Sequence, residues 1–323
     1  MRIIYYTVAW NNKYINFLMD YSLPSMMSIK NYDAVKNKSL HIYTDQNGTE
    51  QIKAHKNFQR VKDTFSVNIC NCSWIGYETI QKAHYLAAKD VIEMCNKKKA
   101  IFRLFPPDAI FSDGFLTNTL KKIEEGYKAT ILPVGAFRVS YVPFIHNEVP
   151  AVMNSRDMVK YFLENMHKET KAHFYDSKEI VVNPVQLLFG VKDGLVCHSI
   201  YHQPGYINPC GNELSGSNLE FDFVSGLVPD ENDVYVTSDS DEGFELSFKT
   251  PTSQLAAEVI EDSSAYPKFL SNVADGHNMS ALSYKCFNDG YYAHTGNIET
   301  IEVLKLKDKI DHLKSFINKE VAV

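Results

Sequence analysis

Carboxylates occur at two places in this sequence where they could take part in catalysis. Asp108 follows an apolar stretch, 100–104, and a proline pair, and Asp113 lies five residues further on. In an open α/β sheet ligands bind at the carboxyl ends of the strands, where a carboxylate can hold a divalent cation against a diphosphate. The alternative is that Asp108 caps a turn and Asp113 caps a helix beginning at Phe115. We favour a functional Asp108 and a capping Asp113.

The second acidic group consists of Asp239, Asp241 and Glu242, directly after a predicted strand at 233–237. These carboxylates could hold a cation or remove a proton from an acceptor hydroxyl. They could equally form a solvated turn that caps the next element. The sequence leaves both interpretations open.

Two histidines, His198 and His202, lie four residues apart at a predicted strand, 195–201. Because side chains on a strand repeat every two residues, this spacing predicts that both rings share one face. Either ring could ligate a metal or contact a phosphate, although a structural role is the more common one for a histidine. No credible Ser-His-Asp or Cys-His arrangement is evident.

The composition is that of a folded protein for which binding to a large polyanion is not the default expectation, although a local basic patch could still hold a phosphate. The chain has 323 residues, of which 45% are hydrophobic and 22% charged, and its formal net charge is −6. That apolar content can bury a core and excludes general disorder, and the acidic balance argues against a nucleic-acid partner. Cys70 and Cys72 form the one close pair among six cysteines, with no partners to complete a zinc site. We therefore expect free thiols in a reducing compartment.

The first 140 residues alternate between predicted strands and helices. The predicted strands are 2–9, 39–44, 60–69, 100–104 and 129–134, and the predicted helices include 13–27, 73–99 and 115–125. This alternation predicts an α/β fold with a mostly parallel central sheet flanked by helices. Residues 141–323 are expected to form a smaller mixed α+β part of the same compact domain. No glycine-rich fingerprint follows any strand, which argues against a dinucleotide-binding Rossmann enzyme and a P-loop NTPase.

Three local signals define the predicted helices. Ser73 is a plausible N-cap of the long helix, Pro24 is expected to kink or end the helix at 13–27, and Gly126 fits the position after a helix C-terminus. The N-terminus lacks a signal peptide and no stretch is apolar enough to span a membrane, so we expect a cytoplasmic protein. A Lys-rich amphipathic helix from Ile298 is interpreted as a surface helix, with peripheral membrane contact left open.

Several short motifs occur in one order along most of the chain. They are Thr7-Val8-Ala9-Trp10, Leu23-Pro24-Ser25-Met26-Met27, His41-Ile42-Tyr43-Thr44-Asp45, Pro107-Asp108-Ala109-Ile110-Phe111-Ser112-Asp113-Gly114, His202-Gln203-Pro204 and Asp239-Ser240-Asp241-Glu242. Together with the order of elements they resemble a bacterial group of GT-A-type glycosyltransferases. That family closes the strand after the long helix with a D-x-D motif. Here Pro106 replaces the first acid, and Asp108 matches the second, which usually meets the metal.

The resemblance implies an enzyme that transfers a sugar from a nucleotide-sugar donor. Thr7 and Trp10 would lie beside the nucleotide, and residues Tyr43, Thr44 and Asp45 would face its base or ribose. The acceptor would be a glycan or a lipid-linked saccharide in bacterial surface polysaccharide synthesis. Fold-level analogy supplies much of this expectation.

The resemblance also implies the catalytic roles. Asp108 would bind Mn²⁺ or Mg²⁺ near the diphosphate, and Asp241, Asp239 and His202 are the catalytic candidates on the acceptor side. A carboxylate would remove the acceptor proton while the diphosphate leaves. The proline at 106 puts strict metal dependence in doubt. Histidine, lysine or arginine could stabilise the leaving group instead, and Arg103 and Arg138 are available in the sequence.

Three other functions compete with this interpretation. A non-catalytic GT-A-like protein that binds a saccharide or nucleotide is supported by the missing first acid. A nucleotidyltransferase would need a glycine-rich loop after the first strand, where Ala9-Trp10-Asn11-Asn12-Lys13 stands instead. A metal-dependent hydrolase would need a more complete ligand spacing than the acids at 239–242 and the two histidines provide.

Overall fold

The computed structural model describes residues 1–76, 78–134, 137–140, 152–178, 180–181, 185–215, 219, 223–249, 259–260, 280–296 and 306–311. The chain divides into two units that are not consecutive in sequence. Unit 1 consists of Met1–Ile131, Pro150–Asn154 and Pro204–Thr237, and unit 2 of Leu132–Val149, Ser155–Gln203 and Ser238–Val323. Each unit therefore combines segments that lie far apart in the sequence, and 204–237 returns to unit 1.

The strands of the described residues are numbered in chain order. They are β1 Ile3–Val8, β2 Ser39–Thr44, β3 Ser66–Asn71, β4 Ile101–Leu104, β5 Ala109–Phe111, β6 Ala129–Leu132, β7 Arg138–Ser140, β8 Ile180–Val181, β9 Gln186–Val191, β10 Gly194–Ser199, β11 Gln203–Ile207, β12 Val234–Val236, β13 Glu245–Lys249, β14 Val259–Ile260 and β15 Tyr291–His294.

The α-helices are numbered in the same way. They are α1 Asn11–Phe17, α2 Leu23–Met26, α3 Tyr32–Val35, α4 Gln46–Ala54, α5 Phe58–Thr64, α6 Ile80–Lys98, α7 Phe115–Glu124, α8 Ser155–Asn165, α9 Lys168–Lys171, α10 Phe223–Leu227 and α11 Ala281–Asp289. A π-helical turn, Leu18–Ser22, joins α1 to α2, a 3₁₀ turn forms at Glu231–Asp233, and residues 306–311 are helical.

Unit 1 is built on a seven-stranded sheet with the order β12-β6-β11-β4-β1-β2-β3. Strand β1 runs parallel to β2 on one side and to β4 on the other, β2 runs parallel to β3, and β12 runs parallel to β6. Strand β11 is antiparallel to β4. Every residue of β1 is buried, as expected for a strand covered on both faces. The predicted α/β class with a mostly parallel sheet is therefore confirmed.

The long helix begins later than the sequence indicated. Helix α6 starts at Ile80, and its N-cap is Thr79, whose hydroxyl accepts a hydrogen bond from the Lys82 N–H at 3.3 Å. The predicted start at Ser73 was wrong, because 73–76 forms turns in which Gly76 has a φ of +89°. The predicted end was close to the observed one. The buried side of α6 consists mainly of small residues, which let the helix lie close to β1 and β4.

The first helical region lies close to its predicted bounds of 13–27. It consists of α1, the π-helical turn and α2, and Pro24 lies in the first turn of α2. Ser22 and Leu23 are themselves in the helical conformation, so Pro24 lies within a continuous helical segment, two residues after the π-helical turn. The local change in winding beside Pro24 agrees with the predicted kink, and the helix ends two residues later at Met26. The third strand was placed too early, because 58–64 is helix α5 and β3 starts only at Ser66.

The end of helix α7 agrees with its prediction. The helix ends at Glu124, and Gly126 follows it with φ of +113°, a conformation that glycine adopts without strain. The Gly126 N–H donates to the Ile123 carbonyl at 3.1 Å, which completes the last turn.

Strand β11 returns to the centre of the unit 1 sheet at a glycine. A Cβ added to Gly205 would lie 2.2 Å from Thr130 Oγ1 and 2.7 Å from the Thr130 carbonyl oxygen. Only glycine allows this approach to β6 without a shift of the backbone. The next residue is fixed there as well, since the Tyr206 N–H donates to Thr130 Oγ1 at 2.9 Å and its hydroxyl lies 2.5 Å from that of Tyr5.

Unit 2 contains smaller sheets around an aromatic core. Strands β9, β10 and β15 form an antiparallel sheet, and β7 runs parallel to β13. Four rings, those of Phe137, Phe162, Phe244 and Tyr291, pack with centroids 4.9–6.5 Å apart. The predicted strand at 195–201 corresponds to β10.

Two further predictions can be compared with the structure. All six cysteines are free thiols, as expected. Of the helix predicted from Ile298, residues 306–311 are helical and Ile310 is buried, whereas the remainder lies outside the described residues. None of the helices in the described residues has both the length and the apolarity to cross a bilayer.

Candidate functional site

The first candidate site lies at the carboxyl edge of the unit 1 sheet. The ends of three neighbouring parallel strands are held in register there, because the Ala9 N–H donates to the Tyr43 carbonyl at 3.0 Å and the Phe105 N–H to the Tyr6 carbonyl at 3.1 Å. Trp10 follows β1, Asp45 follows β2 and Asp108 lies in the turn after β4. Strand order reverses at β1, since the chain continues to β2 on one side and later adds β4 on the other. Such a switch point leaves a crevice in which open α/β sheets bind ligands.

Asp108 is a half-buried residue in the turn between β4 and β5. The backbone on either side of it is held by one hydroxyl, because Ser22 Oγ lies within hydrogen-bonding distance of the carbonyl oxygens of Pro107 and Ala109. Burial, together with the charge of Asp108, raises the pKa of Tyr14. The Tyr14 phenol therefore keeps its proton at neutral pH and remains a hydrogen-bond donor in the neighbourhood of the carboxylate.

Asp113 has a structural role, but not the predicted one. Its Oδ1 accepts a hydrogen bond from the Lys30 N–H at 2.8 Å, and Gly114 at the N-cap of α7 receives no capping bond from it. The cap comes from Asn31, whose Oδ1 accepts from the N–H groups of Gly114 and Leu116 at 3.0 and 2.9 Å. The predicted capping of α7 by Asp113 is therefore wrong, since an amide 83 residues away in sequence takes that place.

The five predicted nucleotide-binding residues differ in how far they reach solvent. Trp10 and Asp45 are partly exposed, whereas Thr7, Tyr43 and Thr44 are buried. The hydroxyl oxygens of Thr7 and Thr44 have no hydrogen-bond partner among the described residues. Direct contact with a ligand is therefore available to Trp10 and Asp45, whereas the side chains of the other three residues are covered.

Three of these side chains also have structural partners. Asp45 is the N-cap of α4, where its Oδ1 accepts from the Gly48 N–H at 2.6 Å. The Tyr43 hydroxyl donates to Asp90, and its ring stacks on Trp74 with centroids 6.4 Å apart. The Trp10 ring lies 6.3 Å from that of Tyr14, so two aromatic side chains follow β1 at this edge.

The second candidate site is a group of three side chains in unit 2, Asp239, Asp241 and His294. One ligand atom from each lies within 4.8 Å of the others. The backbone holds the group together, because the Tyr292 N–H donates to the Ser238 carbonyl at 2.9 Å and the Ser240 N–H to the Tyr292 carbonyl at 2.8 Å. Among the described residues no other group of three metal-ligating side chains has this spacing, and Asp108 belongs to none.

The hydrogen bonds of this group already balance much of its charge. Asp239 Oδ1 accepts from the Asp241 N–H at 2.7 Å and lies 2.9 Å from His294 Nε2. Both carboxylate oxygens of Asp241 are bound by Arg156, with Nε at 3.1 Å and Nη2 at 2.8 Å. The Arg156 hydrogen bond is the main reason why the pKa of Asp241 is lowered. Two carboxylates and an imidazole are a donor set that fits a divalent cation such as Mn²⁺, but Arg156 would have to give up Asp241.

The predicted pairing of His198 and His202 on one strand face is wrong. His198 lies in β10, with Nδ1 2.7 Å from the Phe287 carbonyl oxygen, but β10 ends at Ser199 and His202 lies in the segment before β11. Burial lowers the pKa of His202 to about 4, so its ring is neutral at pH 7. A side chain this deeply buried does not reach an acceptor from its present position, and its catalytic role stays a prediction.

Sequence reasoning did not find His294 or Arg156. His294 ends β15, 53 residues after Asp241, and its only local signal is the alternating pattern of a short strand. Arg156 lies in the first turn of α8, where a charged residue is unremarkable. Both join the acidic turn through tertiary contacts, for which a single sequence has no spacing signal.

The two arginines considered as cations for a leaving group lie in different surroundings. Arg103 is 1% exposed, and its guanidinium carbon lies 5.3, 4.9 and 5.2 Å from the ring centres of Phe111, Phe115 and Tyr206. These rings close it off from any ligand at the surface. Arg138 is partly exposed and binds Glu169.

Comparison with known proteins adds little to this description. No family model matches the chain, and no curated protein matches it. The chain is similar to the crystal structure of S. aureus TarS, with 15% identity and a TM-score of 0.29 over 42% of this chain and 22% of TarS. It is also similar to a putative glucose-1-phosphate thymidylyltransferase from Bacillus anthracis in complex with a sucrose, with 12% identity and a TM-score of 0.22 over 40% of this chain and 54% of that one.

The chain thus spans about a fifth of TarS, at 22%, and about half of the thymidylyltransferase, at 54%. Because both TM-scores are low, neither similarity carries an argument on fold or function.

Proposed function

We propose that this chain is a glycosyltransferase that moves a sugar from a nucleotide-sugar donor to a glycan or lipid-linked acceptor. One observation carries the proposal. Trp10, Asp45 and Asp108 follow three adjacent parallel strands at the point where the strand order of the unit 1 sheet reverses. This edge combines an aromatic surface for a base with carboxylates for a ribose and for a cation beside a diphosphate.

In this proposal Asp108 binds the donor's diphosphate through Mn²⁺ or Mg²⁺. A single carboxylate is sufficient for that role, because such ions are often held by one or two carboxylates together with substrate phosphates and water. The ion would supply positive charge that stabilises the departing diphosphate. Because Pro106 stands in place of an acid, the protein supplies fewer ligands to the ion. The cation and the nucleotide are therefore expected to bind together.

Asp239 is proposed as the general base. The acceptor hydroxyl oxygen bonds to the anomeric carbon, the bond from that carbon to the diphosphate breaks, and the acceptor proton passes to the carboxylate. Asp239 is the better candidate because Arg156 occupies both oxygens of Asp241 and keeps the pKa of that carboxyl low. Asp239 Oδ2 makes no hydrogen bond to the described residues, while His294 orients Oδ1.

A thermal-shift screen of the full chain against UDP, GDP, CDP, CMP and TDP, with and without Mn²⁺, tests the donor site. A ligand that binds only the folded state raises the unfolding midpoint. We expect one nucleotide to stabilise the chain and Mn²⁺ to strengthen the effect. Asp108→Ala should abolish the Mn²⁺-dependent part, whereas Asp63→Ala, which removes an exposed acid from unit 1, should not. Stabilisation that is unchanged in Asp108→Ala would contradict the role of Asp108.

A non-catalytic protein that binds a nucleotide or saccharide is the second candidate. It is favoured by the place of Asp108, which belongs to no group of three metal-ligating side chains among the described residues. The two candidates differ in turnover. Release of nucleoside diphosphate from a nucleotide sugar that binds would support the transferase, and tight binding without hydrolysis or transfer would support the binding protein.

A further inference from the structure

A second charged cluster in unit 2 lies apart in sequence from both candidate sites. Strands β7 and β13 pair so that Arg138 is opposite Ser247, and Lys249 follows two residues later. Because side chains alternate along a strand, Arg138 and Lys249 project from the same face of this pair. Glu169 binds both, with Oε1 accepting from Arg138 Nη1 and Oε2 from Lys249 Nζ.

The segment that carries Glu169 is fixed on β7. The His167 N–H donates to the Arg138 carbonyl at 3.0 Å, and the Arg138 N–H donates to Thr170 Oγ1 at 3.2 Å. Glu169 is buried, which alone would raise its pKa, but the Lys249 hydrogen bond and the Arg138 charge hold that pKa below its ordinary value. The carboxylate is therefore ionised and stays between the two cations.

His167 supplies a buried Nε2–H group that has no hydrogen-bond acceptor among the described residues. Its Nδ1 accepts a hydrogen bond from the Glu169 N–H at 3.2 Å, so in the neutral ring the proton is on Nε2. Burial, with the charges of Lys249, Lys168 and Arg138, lowers the pKa of His167, which keeps the ring neutral at pH 7. His167 is 1% exposed, and Nε2 has no partner among the described residues. A buried N–H without an acceptor is unfavourable, and an anion would satisfy it.

The cluster has one positive charge in excess. Two cations face one carboxylate, and each of them donates a single side-chain hydrogen bond to it within the described part of the chain. The side chains of Arg138 and Lys249 are 35% and 19% exposed, so their remaining N–H groups can reach a ligand from solvent. We propose that Arg138, Lys249 and His167 form a binding site for a phosphate or diphosphate group. Arginine and lysine side chains are the usual partners of such oxyanions.

This site does not depend on the proposed transferase activity, because its test is binding. Isothermal titration of the full chain with inorganic pyrophosphate and with phosphate, at an ionic strength kept constant with chloride, measures it directly. We expect pyrophosphate to bind more tightly than phosphate. Lys249→Gln should weaken pyrophosphate binding about tenfold, since it removes one charge-assisted hydrogen bond. Lys171→Gln, which removes an exposed charge on α9, should leave the binding unchanged.

Glu169→Gln separates a binding site from a purely structural ion cluster. Without the carboxylate the excess charge rises from one to two, so pyrophosphate should bind several-fold more tightly. A structural cluster would show no gain. Because this variant could fail to fold, Arg138→Lys serves as a second one, which keeps the charge but loses the planar fork and should bind more weakly. Absence of pyrophosphate binding by the wild type, or unchanged binding by folded Lys249→Gln, would overturn the proposal.

The anion could belong to the donor nucleotide or to a phosphorylated acceptor, and competition distinguishes the two. Pyrophosphate binding that disappears in saturating nucleoside diphosphate would support the site and assign it to the nucleotide. Binding that persists, and that a sugar phosphate displaces, would support the site and assign it to a second phosphorylated ligand.

Discussion

Asp108 and Asp239 both follow a strand, but their surroundings differ. Asp108 lies in a turn at an open sheet edge, and within the described residues it has no pair of metal-ligating neighbours at coordinating distance. Asp239 belongs to a group whose carboxylates already have partners, His294 Nε2 at hydrogen-bonding distance from Asp239 and the Arg156 guanidinium at Asp241. The Asp239 group has the geometry of a cation site, but its carboxylates would gain less from a bound cation than Asp108 would.

The geometry of a candidate cation site and its affinity for the cation are therefore two separate properties. Three donor atoms within 4.8 Å describe where an ion would fit. Whether an ion binds also depends on the cations that are already present, because a new ion gains little from a carboxylate that Arg156 neutralises. At Asp108 the remaining ligands would come from the substrate. This difference is the reason why the proposed transferase uses Asp108 for charge stabilisation and Asp239 for proton transfer.

The largest expected effect comes from Asp239→Asn. Loss of a general base lowers kcat by about 10²–10⁴-fold. Nucleotide affinity should not change, in contrast to Asp108→Ala, which loses Mn²⁺-dependent affinity. Steady-state kinetics and nucleotide titrations of both variants test the division of roles. Asp241→Asn is the matched control and should retain more turnover than Asp239→Asn, because its carboxylate is held by Arg156. Equal losses of nucleotide affinity at 108 and 239 would contradict the comparison.

The same comparison shows what a single sequence can and cannot predict. The strands that form the Asp108 edge, β1, β2 and β4, were predicted because each is a local apolar run that ends in turn residues. The acidic turn at 239–241 was found for the same reason. His294 was not, since it reaches this turn through a β-bridge between Asp239 and Tyr292 that no local pattern encodes.

The errors in the fold have similar causes. Ser73 and Thr79 are both of a type that is favoured at N-caps. Because residues 73–76 form turns, the helix starts after them and Thr79 is its N-cap. The cap of α7 comes from Asn31 instead of the adjacent Asp113, because a side chain from a distant segment lies closer to the free N–H groups. Strand β11 joins the unit 1 sheet at Gly205, where the absence of a side chain leaves room for Thr130. In the sequence that glycine looks like an ordinary turn residue.

A smaller effect is expected from His202, which is buried in unit 2 as a neutral imidazole. Its pKa falls from about 6.5 to about 4 on folding because the ring is buried. The unfolded chain therefore binds a proton at a higher pH than the folded one. Above pH 6.5 the residue has no effect on stability, and between pH 6.5 and 4 it lowers the free energy of unfolding by about 1.4 kcal/mol per pH unit.

Urea denaturation of the wild type and His202→Gln between pH 7.5 and 4.5 measures this contribution. The variant should have a flatter pH dependence, and the difference between the two slopes isolates His202 from the other buried histidines. Parallel slopes would mean that His202 has the same pKa in the folded and the unfolded chain, so the ring would not be buried away from solvent and could act as a catalytic group.

The smallest effect is predicted for Arg156→Gln, and it tests why the Asp239 group has little demand for a cation. The Arg156 side chain is 46% exposed, so its loss should leave the stability of the fold nearly unchanged. Removing one positive charge from beside Asp241 should strengthen Mn²⁺ binding about fivefold. Lys160→Gln removes an exposed charge from the same helix and is the control. Mn²⁺ titrations should show the gain in Arg156→Gln alone, and His294→Ala in that background should abolish it. If Arg156→Gln and Lys160→Gln bind Mn²⁺ equally, Arg156 does not stand in for a cation, and the contrast with Asp108 needs another cause.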